Sequence, residues 1–116
     1  MPSALMVVGS NPVSPEREDA YNQWYVETHF PDVLAVAGFT TARRYALSPV
    51  RPMADTEASP YGYLAIYEVE ADDLAVAGRD LQAALDSGAI PISEDFDLSG
   101  FSVDFYALVP GSERSA

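Results

Sequence analysis

The chain has 116 residues, 48% hydrophobic and 21% charged, enough for one domain with a real core and too ordinary to be disordered. Its 18 carboxylates against six arginines and no lysine give a net charge of −12, which repels phosphate backbones and anionic lipid and leaves no Schiff-base amine. Cysteine is absent, which excludes disulfides, thiolate nucleophiles and cysteine metal sites.

No repeat or linker divides the chain, so residues 1–110 read as a single domain and 111–116 as a polar tail. No apolar run approaches the roughly 20 residues that cross a bilayer, and the start "MPSALMVVGSNP" lacks the basic flank of a leader. A cytoplasmic chain is expected.

Residues 4–9, "ALMVVG", are a short apolar run ended by Gly9, Asn11 and Pro12, and predict a buried strand. "SPERED" opens a helix: Ser14 suits the cap, Pro15 the first helical position, and Glu16, Glu18 and Asp19 the positive end of the dipole. That helix is expected to reach His29 or Phe30, where Pro31 disfavours helical backbone, with a short turn through "DVLAVA" ending at Gly38. "FTTARRYAL", 39–47, predicts a strand, and the proline-rich "SPVRPMADTEASP" a loop. A strand follows at 61–70. A second helix starts at Asp72 and Asp73 and runs to about Asp86, with Leu74, Ala77, Leu81, Ala84 and Leu85 at helical spacing and Gly88 as its stop. The last strand is 101–109.

The order β-α-β-β-α-β is the ferredoxin-like plan, an α+β fold with one four-stranded antiparallel sheet and two helices on one face. Leu64 and Ile66 alternate against Tyr61, Tyr63, Ala65, Tyr67 and Val69, and Tyr106 and Leu108 against Phe101, Val103 and Phe105, so both sheet faces are apolar. Helices shield only one. The other face predicts a homodimer in which two sheets pack together.

The candidate site lies in "NQWYVETHFPD", which holds the only tryptophan and the only histidine. Tyr21, Trp24, Tyr25, Thr28 and His29 fall at i, i+3, i+4, i+7 and i+8, a single helical stripe. Such polar aromatics need hydrogen-bond partners once buried, where a packing stripe would use leucine and valine. They suggest a lined cavity between helix and sheet. His29 is the natural acid or base, since its ordinary pKa lies near neutrality, and Tyr25 one turn earlier is its candidate partner. The competing reading is packing, with His29 merely capping carbonyls at a helix end and Asp32 capping the next turn. Arg43 and Arg44 point to opposite faces of their strand, where surface pairing is the ordinary role and an anionic ligand the alternative. Tyr21, Trp24, Thr28, Arg43, Tyr63 and Tyr67 complete the list of substrate-binding candidates. One imidazole with scattered carboxylates is no metal ligand set, so neither a metal nor a cofactor is expected.

The stretch "WYVETHFPDVLAVAGFTTARRY" resembles the EthD-like members of the dimeric α+β barrel superfamily. Trp24, Tyr25, His29, Pro31, Asp32, Gly38, Phe39, Arg43 and Arg44 carry the resemblance, which is strong over residues 16–47. It implies a dimeric α+β barrel with a ligand held between sheet and helices. The superfamily includes cofactor-free cyclases and dehydratases, quinone-forming monooxygenases, isomerases and haem proteins. The expectation is a cofactor-free, lyase-like enzyme (a cyclase or dehydratase) acting on a small apolar or aromatic carbonyl or phenol. The alternatives are a non-catalytic ligand-binding or accessory protein, a cofactor-free monooxygenase, and a haem protein with His29 as axial ligand.

Overall fold

The structure, a computed structural model, describes residues 3–116. Strand β1 is Ser3–Ser10, β2 Phe39–Ala46, β3 Tyr63–Glu70 and β4 Ser102–Ala107, each within two residues of the expected bounds. They form one sheet in the order β2-β3-β1-β4, every neighbouring pair antiparallel. The helical layer consists of a 3₁₀ turn at Pro15–Arg17, α1 at Glu18–Trp24, a π-helical turn at Tyr25–His29, α2 at Phe30–Leu34 and α3 at Leu74–Asp86. This is the ferredoxin-like plan. Among the described residues no helix is long and apolar enough to cross a membrane.

Alternation sorts the two central strands, β1 and β3. Ala4, Met6, Val8 and Ser10 of β1 and Ala65, Tyr67 and Val69 of β3 are buried under the helices, in register with one another across the sheet. Tyr21, Tyr25 and Val33 descend onto them from the first helical segment, and Ala77 from α3. The Asp73 side chain caps α3 by accepting from the Ala75 N–H at 2.9 Å. Gly38 joins α2 to β2 with φ of 96°, and a Cβ there would stand 3.2 Å from the Glu70 carbonyl oxygen, so glycine fits both the dihedral and the space.

The first helix departs from expectation at Pro31. Phe30 keeps helical dihedrals and the backbone does not stop. Instead the Phe30 N–H reaches the Tyr25 carbonyl, five residues back, and the turn before the proline is wound wider. A proline lacks the N–H for its own helical bond and its ring crowds the carbonyl four residues earlier. The wider turn relieves that crowding and keeps the helix intact.

Three further differences concern side-chain direction. Thr28 is exposed, because the extra residue in the π turn swings i+3 from Tyr25 outward while His29 at i+4 stays inward. Arg43 is exposed on the outer sheet face, and Arg44 is the arginine that points under the helices. Tyr61 precedes β3 rather than belonging to it, and its ring lies over Gly9 on the outer face, where a Cβ on Gly9 would meet it at 2.5 Å. That outer face presents Leu5, Val7, Leu64, Ile66 and Tyr106, with no element of the described chain packed over it as a layer.

Candidate functional site

The segment between α3 and β4 ties the far wall of the site in place. Pro12 and Phe96 form an isolated antiparallel bridge, the Val13 N–H donates to the Asp95 carbonyl at 2.8 Å, and the Asp97 N–H donates to the Asn11 carbonyl at 3.0 Å. Arg17 clamps the Asp95 carboxylate at 2.6 Å, and this hydrogen bond holds the carboxyl below its ordinary pKa. The segment is thereby fixed as a wall rather than left as a surface loop. Its acidic character in sequence obscured Phe96, which is buried, and Ile92, Leu98 and Phe101, which line the cavity from its exposed rim.

Between this wall, the sheet and the helices lies a cavity of about 530 Å³. Met6, Val8, Val103 and Phe105 form its floor, Leu81 and Leu85 of α3 one side, and Ile92, Phe96, Leu98 and Phe101 another. Tyr25, His29 and Val33 descend from the first helical segment, and Tyr67 rises from β3. The size suits a small organic molecule, and the lining is apolar apart from a few polar groups.

Three of those polar groups are unsatisfied. The Tyr25 and Tyr67 hydroxyls stand close enough to influence each other, yet neither of them, nor Nδ1 of His29, has a partner at hydrogen-bond geometry, and all three are buried. Each such atom costs on the order of 1–3 kcal/mol, and proteins rarely leave several in one place without a use for them. Trp24 is half-buried and lies behind the imidazole, stacked at 4.7 Å and 27°, while the Tyr25 ring meets it edge-on at 5.0 Å. The π turn brings these rings together, as such turns often do at working sites.

Burial lowers the His29 pKa to about 4, against a smaller upward pull from Asp32. The imidazole is therefore neutral at pH 7. Burial likewise pushes Tyr25 up to about 12 and Tyr67 well above its ordinary value, so both phenols are neutral donors. Unfolding returns His29 toward 6.5, and the unfolded chain then takes up this proton first. The stabilisation is complete above pH 6.5 and declines as pH falls toward 4, by on the order of 3 kcal/mol. Urea unfolding from pH 7 to pH 4 is expected to show this loss, and His29→Gln to show a shallower one. Equal slopes would assign the loss to other groups.

The remaining sequence candidates do not line the cavity. Tyr21 is fully buried and shares a hydrogen bond with the Ser10 hydroxyl. The Tyr63 hydroxyl donates to Glu18 at 2.6 Å and accepts from Asn22 at 3.3 Å. Arg44, and not the binding candidate Arg43, lies over the rings of Tyr25, Tyr63 and Tyr21 at 4.3, 4.7 and 5.1 Å. Thr28 and Arg43 are outside the cavity, for the reasons of winding and strand face given above. Among the described residues no group of three or more histidine, cysteine, aspartate or glutamate side chains is placed to hold a metal ion.

Sheet order, helix layer and interior hollow define a ferredoxin-like domain of the architecture found in EthD family proteins. An EthD family protein from Bacillus halodurans is similar over 94% of this chain and 100% of its own, with TM-score 0.57 and 14% identity. A DABB family protein with a ferredoxin-like fold from Mesorhizobium loti is similar over 94% and 99%, with TM-score 0.54 and 17% identity. A dimeric ferredoxin-like protein of unknown function from Jannaschia sp. is similar over 91% and 99%, with TM-score 0.51 and 16% identity. At these identities the likeness establishes the fold. No protein-family profile and no curated protein matches the chain.

Proposed function

We propose that the protein is a small cofactor-free enzyme of the cytoplasm that binds an apolar or aromatic carbonyl or phenol in the cavity and moves a proton on it. The observation that carries this reading is the set of three buried, unpartnered polar groups, on Tyr25, Tyr67 and His29, in the wall of an otherwise apolar cavity. A carbonyl oxygen placed between the two phenols would accept their hydrogen bonds. The neutral imidazole would take a proton from the adjacent carbon, forming an enolate held by the phenols, and would return it either to a β-hydroxyl that leaves as water when its C–O bond breaks or to the oxygen of a second carbonyl whose carbon the enolate carbon has attacked. Dehydration and cyclisation need little else.

One observation favours binding without chemistry. An imidazole with a pKa near 4 is a weak base, and only a nearby negative charge on the ligand would strengthen it. Native mass spectrometry of the purified protein, followed by incubation of whatever it carries, separates the two. The enzyme reading expects a bound small organic molecule or binding of aromatic ketones and phenols, with a product of changed mass or absorbance. Binding with no product supports a carrier. A folded protein that stays empty and binds none of these compounds overturns both.

The apolar outer face and the dimeric ferredoxin-like neighbour support a homodimer joined through the sheets. Ile66 lies on that face. Ile66→Asp is expected to turn a dimer into a monomer at micromolar concentration in sedimentation or light scattering, because it buries an unpaired carboxylate at the interface. A monomeric unmodified protein would remove the dimer.

A further inference from the structure

We infer that the cavity holds its ligand as an oxyanion, a phenolate or an enolate, and that Arg44 is the buried countercharge behind the wall formed by Tyr25 and Tyr67. This rests on the cavity being the ligand site and deepens that reading by naming the charge of what it binds.

Arg44 is an unusual cation for a chain with three times as many carboxylates as arginines. It makes no salt bridge, the only one among the described residues being Arg17 with Asp95. Its Nη1 donates to the Asn22 Oδ1 at 2.8 Å, while Nε and Nη2 are buried near the Tyr21 hydroxyl but with no partner at hydrogen-bond geometry. The nearest carboxylate path runs through Asn22 and the Tyr63 hydroxyl to Glu18, which belongs to the surface. Three tyrosine faces hold the guanidinium from α1, the π turn and β3, a cage that retains the charge without neutralising it. A positive charge kept under the helices with no anion of its own is a standing field.

That field reaches the cavity wall. Burial raises the pKa of Tyr21, Tyr25 and Tyr67, and Arg44 opposes the rise at all three. A ligand oxygen seated against the Tyr25 and Tyr67 hydroxyls has this charge behind the Tyr25 ring and gains a preference for ionisation of the same sign, plus two hydrogen bonds that strengthen toward an anion. The other charged groups in reach are few. His29 is neutral, Asp32 acts on it from one turn away, and Asp104, the only carboxylate in the lining, is exposed. The ligand's charge also answers the weakness of His29 as a base, since an oxyanion beside it would raise its proton affinity.

The test uses 4-nitrophenol, whose ionised form is coloured, titrated free and in the presence of saturating full-length protein, with nitrobenzene as a neutral companion. The bound phenol is expected to ionise about one pH unit or more below the free one. Arg44→Gln is expected to abolish the shift while nitrobenzene still binds, and Arg44→Lys to restore much of it. Where the glutamine variant does not fold, the shift in the unmodified protein decides. If nitrobenzene binds and the bound phenol ionises no lower than the free one, or the shift survives in folded Arg44→Gln, the oxyanion assignment is wrong and the cavity reading stands. If neither compound binds the folded protein, the cavity reading falls with it.

Discussion

Replacing His29 by alanine is expected to lower turnover of a carbonyl or phenol substrate by roughly 10²–10⁴-fold, the usual worth of a positioned acid or base. The ring is the only imidazole in the chain, it lines the cavity, and Nδ1 has no partner in the fold that would explain it as a structural group. Circular dichroism should report an intact fold, since the sheet and the Tyr21, Tyr25 and Tyr67 core do not depend on the ring. Steady-state kinetics supply the measurement. Unchanged turnover in the folded variant would end the catalytic role of His29, and a binding defect with no turnover in either protein would favour a carrier.

The second large effect concerns Tyr67 and runs in opposite directions for stability and for binding. Its side chain is fully buried, and its hydroxyl has no hydrogen-bond partner. Tyr67→Phe removes that group without opening a hole, so unfolding free energy is expected to rise by about 1–3 kcal/mol. For a chain of this size that raises the melting temperature by several degrees. Ligand affinity is expected to fall by about tenfold, the worth of a good hydrogen bond in a dry site. A variant that is both less stable and unimpaired in binding would show that the hydroxyl serves the fold. The same logic applies to Tyr25, whose ring is as deeply buried but packs edge-on with Tyr21, Trp24, His29 and Phe30.

The pairing of these two expectations has a common physical origin. A domain of this size has little stability to spare, and each orphaned polar atom subtracts from it. Three such atoms in one cavity wall, with a partly unpaired guanidinium behind them, are a local violation of the consistency that the rest of the fold obeys. Such violations concentrate where a ligand supplies the missing partners.

Much of the architecture could be read before any coordinates. Strand and helix order followed from period-two and helical spacing, which are properties of a single segment and do not depend on its neighbours. The helix carrying Tyr21, Tyr25 and His29 on its inner face was legible for the same reason, as was the apolar outer face marked by Leu64 and Ile66. The error at Phe30 arose because proline has two outcomes in a helix. It can end the helix, or the preceding turn can widen, and the choice depends on whether packing rewards continuation. Here Val33 is buried beyond the proline, so continuation wins. Thr28 was misplaced by the same turn.

What the sequence by itself determined is therefore the ferredoxin-like order, the amphipathic faces and the presence of an inward imidazole among aromatic rings, all consequences of local periodicity. The tertiary structure alone decided which arginine lies under the helices, that the segment at 92–101 closes a wall, and that the hydroxyls of Tyr25 and Tyr67 meet no partner. These depend on strand register and on what fails to fill a space between elements far apart in the chain. Neither leaves a periodic trace in the residues.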